Sequence, residues 1–310
     1  AVPYLWEKIG CEIYATKFTK TVLLKKLINF GLDKDIIINE VEYNKNIDIG
    51  PFDIEYGNIT HSIPESSYIS ISTDNNLVLH SGDWKFDNNP VIGEATNINN
   101  LSKLGEKNVS ALVCDSTNVF NEGNTGSEID IVSNISKVIN DCDGKVIIST
   151  FASNIARIKT ISNIAQTTNR KLVIIGRSLF RSIESAKECG YLTDIPQILN
   201  ENQISSLNSN KIIIICTGCQ GEHRAALNRI SLGNTSFDLN VKDLVVLSSK
   251  IIPGNEKKIS RMINRFVRLG ISVITEKEYD IHVSGHPSRD DLKKMYELIK
   301  PNTVIPVHGE

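Results

Sequence analysis

The central part of the chain alternates between short apolar runs and longer amphipathic runs, and this alternation restricts the possible folds most strongly. The apolar runs are rich in Ile and Val and predict strands at 145–150, 171–176, 211–218, 243–249 and 271–275. The amphipathic runs predict helices at 127–140, 153–166, 178–190, 222–230 and 255–270. Apolar strands separated by helices are typical of a parallel sheet covered on both faces. We therefore predict a doubly wound α/β domain.

The segments on either side of this region have a different texture. The first 125 residues are expected to hold few helices and to form strands at 68–73, 77–83 and 110–117. The last segment is expected to form a strand, a helix and a strand, at 280–285, 288–300 and 303–309. We predict that an α/β domain over 126–285 is inserted into a second domain made of 1–125 and 286–310.

Charge and cysteine usage limit the class of protein. The 310 residues carry a net charge of −2, which argues against a globally basic nucleic-acid binder and leaves a local basic groove open. Six scattered cysteines indicate free thiols in a reducing compartment, so the cytoplasm is the expected location. Cys216 and Cys219 have the CxxC spacing of redox or zinc motifs, but the sequence has no second CxxC or paired His/Cys set to complete a zinc site. No apolar run approaches the roughly 18 residues that cross a bilayer, so no membrane contact is expected.

Three potential metal ligands directly follow predicted strands. His61 lies in HSIPES, Asp83 in SGDWKFD, and His308 near the end of VIPVHGE. Imidazoles and a carboxylate from separate strand ends are what a zinc site needs, although a single histidine after a strand is more often a cap or a core residue. By contrast, His80 has odd spacing from Asp83 within one predicted strand and is expected to face the other way.

A second cluster near the end of the chain has chemistry suited to phosphate. His282 and His286 bracket Ser284 and Gly285, and a turn there would bring imidazoles, a hydroxyl and backbone N–H groups onto one anion. An ordinary turn with two exposed histidines is the alternative. Asp115 ends a predicted strand and either orients one of these histidines or caps a turn.

Two glycine-bearing turns also follow buried strands, at 217–222 and 248–256. The carboxyl edge of a parallel sheet is where ligands bind in doubly wound folds. Lys250 and Asn255 would then meet a phosphodiester, with a solvated loop as the alternative. His223, in QGEHRAAL, is expected at the surface or in a groove.

Ten motifs resemble, in their order along the chain, those of bacterial ribonuclease J. They are HSIPES, SGDWKFD, CDSTN, GNTGSE, TFASNIARI, GRSLFRS, TGCQGE, SSKIIPGNE, HVSGHPS and IPVHGE. That family belongs to the β-CASP branch of the metallo-β-lactamase superfamily, and the resemblance covers essentially the whole chain. It implies an αββα metallo-β-lactamase core with an inserted α/β β-CASP domain. It also implies a zinc-dependent ribonuclease that degrades single-stranded RNA from the 5′ end, with some endonuclease activity, in RNA maturation and decay.

The resemblance also implies roles for individual residues. His61, Asp83 and His308 match metal ligands, with Asp83 bridging two Zn²⁺ ions; Mn²⁺ suits similar ligand sets. Asp115 and His286 match a catalytic pair, and His282 and Ser284, with Gly285 between the histidines, match positions that contact substrate phosphate. A homodimer, a homotetramer or a pairing with a paralogous subunit is implied for the full-length protein.

The main departure from the family is that its HxHxDH metal signature does not occur in these 310 residues. The chain is expected to be an internal fragment that also lacks the family's C-terminal domain, and to be nearly inactive alone. Two other functions stay open. One is a non-catalytic RNA-binding partner subunit of the same fold, and the other is a different β-CASP nuclease, such as one that acts on RNA 3′ ends or on DNA.

Overall fold

The computed structural model describes residues 2–309, and their secondary structure is mixed α/β. The α-helices are α1 (Val2–Ile9), α2 (Lys17–Ile28), α3 (Ile98–Gly105), α4 (Val132–Asn140), α5 (Ile155–Thr167), α6 (Arg177–Glu188), α7 (Ala226–Ser231), α8 (Glu256–Arg268) and α9 (Arg289–Ile299). The strands of the first part are β1 (Ile13–Ala15), β2 (Ile38–Glu40), β3 (Asn46–Ile49), β4 (Phe52–Asn58), β5 (Ser67–Ser72), β6 (Leu77–His80) and β7 (Ala111–Asp115). Those that follow are β8 (Val146–Ser149), β9 (Lys171–Ile175), β10 (Ile198–Leu199), β11 (Ile212–Cys216), β12 (Leu244–Leu247), β13 (Ser272–Thr275) and β14 (Val304–Val307).

The chain forms two compact units. The first unit contains 1–125 and 285–310, and the second contains 126–284. The chain therefore leaves the first unit after Thr125 and returns to it at Gly285.

The second unit is built on a parallel sheet of six strands in the order β10-β9-β11-β8-β12-β13. All residues of β8, β11 and β12 are buried, because helices cover both faces of a doubly wound sheet. The core includes Val245 and Phe266, which are almost completely buried. The prediction of a doubly wound α/β domain is confirmed.

Local signals explain where the first helix of this unit begins. Ser127 caps a 3₁₀ turn at Glu128–Ile131, and the side chain of Asp130 accepts a hydrogen bond from the backbone N–H of Ser127, as in a capping box. The turn continues directly into α4, so the helix predicted from Ser127 is present with a tighter first turn.

The first unit contains a six-stranded mixed sheet and a small two-stranded parallel sheet. The strand order of the larger sheet is β14-β7-β6-β5-β4-β3, with parallel pairing of β14 with β7 and of β7 with β6. Helices α3 and α9 pack together, and their apolar residues share a core with the sheet. Trp84, at the centre of that core, is fully buried.

Two local predictions were wrong. The stretch 280–285 is not a strand, because its backbone makes side-chain contacts instead of strand pairing: the Ile281 carbonyl accepts hydrogen bonds from Arg157 and Ser248. Helix α7 begins at Ala226, so 222–225, including His223, form a turn. The first 125 residues were expected to be strand-rich with few helices, and their described part holds α1, α2 and α3 beside seven strands.

Candidate active site

The strand register of the first unit brings several polar side chains to one edge of its sheet. Strands β7 and β14 are parallel, and Val307 is paired with Asp115. His308 therefore follows β14 next to the end of β7. Asp83 comes three residues after β6, past Gly82, which has φ +62° and would place an added Cβ 2.7 Å from the Ser67 carbonyl oxygen. Glycine is required there because only glycine adopts this turn without a clash.

Asp115 and His286 form a hydrogen-bonded pair in the first unit. His286 Nδ1 lies 2.7 Å from Asp115 Oδ2, and the carboxylate is 1% exposed. Burial raises the pKa of Asp115, but hydrogen bonds from His286 and Thr117 outweigh it and hold the pKa below its usual value. Asp115 is therefore a buried carboxylate anion that fixes the orientation of the His286 ring.

His308 is held by a side chain that the sequence reasoning missed. The Thr117 hydroxyl lies 2.6 Å from Asp115 Oδ1 and 2.8 Å from His308 Nδ1. Because an ionised carboxylate only accepts, the hydroxyl donates to Asp115 and accepts from the His308 Nδ1–H. His308 itself has φ +62°, a left-handed conformation that is strained for a residue other than glycine. The signal for Thr117 was its position two residues after a strand-end aspartate.

His61 is held by backbone. Its Nδ1 lies 2.6 Å from the carbonyl oxygen of Gly285 and donates to it. A Cβ on Gly285 would lie 2.5 Å from His61 Cε1, so only glycine permits this approach. Burial lowers the pKa of His61 below its ordinary value, even though the hydrogen bond to Gly285 acts in the opposite direction. The ring is therefore neutral at pH 7.

The three imidazoles share one tautomer, and the His286 ring lies near each of the other two. The ring centroids of His61 and His286 are 5.1 Å apart, and so are those of His286 and His308. Since Nδ1 of each ring donates to an oxygen, Nε2 carries the lone pair in the neutral ring. An oxygen acceptor behind a histidine is also the usual arrangement behind a metal-ligating imidazole.

The chemistry of this group fits a divalent metal. Ligand atoms of Asp83, Asp115, His286 and His308 all lie within 4.8 Å of one another. Two carboxylates and two imidazoles suit Zn²⁺, and Mn²⁺ accepts similar donors. Asp83 and His308 are half exposed, which leaves this face of the group open to a substrate. Of the predicted ligands, Asp83 and His308 belong to the group, whereas His61 adjoins it through His286.

The predicted phosphate-binding residues fall on both sides of the point where the chain changes unit. His282 and Ser284 lie in the second unit and are half-buried, whereas Gly285 and His286 lie in the first unit. The structure gives Gly285 a definite contact, which is with His61. The joint action of these residues on a phosphate stays a prediction.

Other polar residues outside this group make local hydrogen bonds or are buried. His80 is exposed, and its Nδ1 accepts a hydrogen bond from the backbone N–H of Gly82. Gln220 links the two glycine-bearing turns, because its Nε2 donates to the Lys250 carbonyl and its Oε1 accepts from Ile252 N–H. Cys219 is buried, and burial raises the pKa of its thiol to about 11. It is therefore a neutral thiol rather than a reactive thiolate.

Comparisons with known families identify two domains in the chain. Residues 143–266 match the family described as "Ribonuclease J, beta-CASP domain", and residues 270–310 match "Zn-dependent metallo-hydrolase RNA specificity domain". A protein named ribonuclease J from Sinorhizobium meliloti is 38% identical over 99% of this chain and 54% of that protein. Residues 143–266 are thus a β-CASP domain of the ribonuclease J type, and the chain is similar to ribonuclease J along its whole length.

Other proteins named ribonuclease J align over the whole chain. Ribonuclease J of Helicobacter pylori is 36% identical over 100% of this chain and 45% of that protein. Ribonuclease J 1 of Streptococcus pyogenes is 35% identical over 100% of this chain and 55% of that protein. The chain thus spans about half the length of the curated ribonuclease J proteins it matches. The β-CASP and RNA specificity domains place its fold in the metallo-β-lactamase superfamily, as the sequence motifs indicated.

A solved structure supports the fold independently. A crystal structure of a protein of unknown function from Enterococcus faecalis V583 superposes with a TM-score of 0.65 at 14% identity, and it covers 96% of this chain and 70% of that one. Among the described residues, no helix is both long enough and apolar enough to span a bilayer.

Proposed function

We propose that the protein carrying this chain is a metal-dependent ribonuclease of the ribonuclease J type, with single-stranded RNA as substrate. The observation that carries the proposal is the hydrogen-bonded series His286–Asp115–Thr117–His308, which lies beside Asp83. In this proposal the first unit supplies the metallo-β-lactamase core, and the second unit is the inserted β-CASP domain.

The residues proposed to hold the metal are His61, Asp83 and His308. Their support is the open position of Asp83 and His308 and the common tautomer, which directs the donor nitrogen of each ring away from its oxygen partner. When bound, Zn²⁺ (two ions in a complete site of this family, or Mn²⁺) supplies a hydroxide at neutral pH and neutralises charge on the phosphate.

His286 is proposed to move the proton of the reaction. In its charged form the ring carries a proton on each nitrogen, and Asp115, 2.7 Å from Nδ1, stabilises that charge. The Nε2 proton then passes to the 3′ oxygen that leaves the phosphorus. His282 and Ser284 are proposed to hold the substrate phosphate through an imidazole and a hydroxyl donor.

Cleavage is proposed to run from the 5′ end, with some internal cleavage, in RNA maturation and decay. Two other functions remain as alternatives, namely a non-catalytic RNA-binding partner of the same fold and a different β-CASP nuclease. The catalytic proposal is favoured because ligand atoms of Asp83, Asp115, His286 and His308 all lie within 4.8 Å of one another. We further propose a cytoplasmic location, since all six cysteines are free, and a homo-oligomer or a pairing with a paralogous subunit.

The test compares RNA hydrolysis by the protein carrying this chain with that by its Asp83→Ala and His286→Ala variants. Substrates carry a 5′ monophosphate or a 5′ triphosphate, so that preference for one end is measured directly. We expect both variants to lose at least roughly a hundredfold in turnover while keeping RNA affinity and native unfolding behaviour. RNA binding without any wild-type hydrolysis would favour the partner-subunit alternative. Wild-type turnover in Asp83→Ala would refute the assigned site.

A further inference from the structure

The second unit contains a basic cavity that the proposed mechanism does not use. Its volume is about 710 Å³, and four of its lining residues are arginines, namely Arg177, Arg181, Arg224 and Arg229. The whole sequence contains ten arginines and many more lysines, so the concentration of arginine around one cavity is not a consequence of composition. Arginine is the side chain best suited to phosphate, because its planar fork donates two parallel hydrogen bonds.

The cavity lies at a topological switch point of the parallel sheet. Strands β9 and β11 are neighbours, and Cys216 is paired with Ile175 at their carboxyl ends. From β9 the chain continues outward to β10, whereas from β11 it crosses to β12 on the other side. Adjacent strands whose connections leave in opposite directions form a crevice between them, and ligands of open α/β sheets bind in such crevices.

Helix α6 contributes its N-terminus to the same cavity. The helix has 12 residues, its first turn contains no acidic residue, and no side chain caps it at Gly176. The positive end of the helix dipole therefore adds to the charge of Arg177 and Arg181. A Cβ on Gly176 would lie 2.8 Å from Thr217 Oγ1, so the turn after β9 touches the residue after β11 and forms the wall of the cavity.

Carboxylates also line the cavity, but the net charge of its lining residues remains positive. Glu201 and Glu222 line it, and Glu201 lies 3.6 Å from Arg229. Glu201 thus pairs with one of the four arginines. Four guanidinium groups facing two carboxylates leave two positive charges for an anionic ligand.

An aromatic side chain distinguishes nucleic acid from other anions. Phe180 lines the cavity and is 37% exposed, and it lies three residues after Arg177 and next to Arg181 on α6. Residues three apart on a helix project from the same side. A base stacked on Phe180 would have its phosphates within reach of arginines, which is how proteins hold single strands.

We propose that this cavity is an accessory binding site for a single-stranded RNA segment, with Phe180 stacking on a base and Arg177 and Arg181 binding flanking phosphates. The inference deepens the proposed function and rests on it, since it concerns the same substrate class. It adds a contact in the second unit that belongs to neither the metal group nor the His282–His286 segment.

The test measures equilibrium binding of a labelled oligouridylate of about twelve nucleotides in EDTA, so that hydrolysis does not interfere. The test variants are Phe180→Ala and the double variant Arg177→Ala/Arg181→Ala. The matched control is Arg261→Ala/Arg268→Ala, which removes the same charge from exposed positions of α8 in the same unit.

We expect Phe180→Ala to weaken binding by roughly five- to a hundredfold, the range for loss of one stacked base. The Arg177→Ala/Arg181→Ala variant should also lower the slope of log affinity against log salt by about 1.4, since each phosphate contact on a single strand contributes about 0.7. The control pair should leave both quantities near the wild-type values.

Several results would overturn the inference. One is equal loss of affinity in the test pair and the control pair. Another is full competition by uridine monophosphate at the same concentration as RNA, which would make the cavity a mononucleotide pocket. Failure of the proposed function is distinguishable, because it appears as lost hydrolysis in the separate assay while binding in EDTA is unaffected. A wild-type protein that binds no RNA would refute both.

Discussion

The close approach of Gly285 to His61 makes Gly285→Ala an informative perturbation. The backbone of Gly285 does not have a positive φ, so alanine meets no conformational penalty there. Its Cβ would nevertheless lie 2.5 Å from His61 Cε1 and 2.7 Å from Nδ1, against an ordinary contact distance of at least 3.4 Å. The imidazole must therefore move by about 0.9 Å, which disrupts its 2.6 Å hydrogen bond to the Gly285 carbonyl.

The expected effects on stability and turnover differ in size. Overpacking of this kind typically lowers the free energy of unfolding by about 1–3 kcal/mol. A misplacement of about 1 Å at a reacting centre costs roughly a hundredfold in rate. Because His61 is proposed as a metal ligand, we expect hydrolysis of RNA to fall by about a hundredfold while most of the protein remains folded.

The assay is a double-mutant cycle with His61→Ala, read by urea unfolding and by RNA hydrolysis. Removal of the imidazole also removes the clash, so Gly285→Ala should have little further effect in the His61→Ala background. Gly126→Ala is the matched control, because its Cβ would meet Asp130 Oδ2 at 3.1 Å and Val283 Cγ2 at 3.6 Å, both longer than the distances at Gly285. If the two effects add, or if Gly285→Ala has wild-type activity, the contact does not hold His61 in place.

Two further predictions concern Thr117 and the buried thiol of Cys219. Thr117→Val keeps the shape but removes the hydroxyl between Asp115 and His308, so we expect at least roughly tenfold slower hydrolysis and weaker Zn²⁺ affinity by calorimetry, with Thr117→Ser retaining both. Burial raises the pKa of Cys219 to about 11, so its contribution to stability should be complete below pH 8.5 and lost as pH rises towards 11. Urea unfolding of Cys219→Ala should show a smaller loss over that interval; an identical loss would contradict it.

The sheet of the second unit was predictable because its strands are apolar on both faces. Continuous apolar strands that alternate with helices are typical of a parallel sheet covered on both faces. Runs such as 212–215 therefore predict that fold. The segment 280–285 was wrongly predicted to be a strand. Ile281 and Val283 alternate with polar residues as in a half-buried strand, yet buried Arg157 and Ser248 satisfy the Ile281 carbonyl. The local periodicity of a sequence does not predict contacts with side chains that are distant in the chain.

The candidate site was predictable in its residue types but not in its connections. Asp115 and His308 were expected at strand ends, and the pairing of Val307 with Asp115 brings those ends together. Thr117 was missed because a threonine after a strand is common in any turn. Its role depends on two hydrogen bonds, one of which crosses 191 residues of sequence.

The pairing of β14 with β7 also determines when the site can first exist. During synthesis β7 emerges early, but its partner strand follows only after the entire second unit, about 190 residues later. At about 5–20 residues per second, that interval lasts roughly 10–40 s. Throughout it His308 is missing and the β7 edge lacks its last strand. A nascent chain therefore lacks the His308 end of the candidate site while it is still close to the messenger RNA that encodes it.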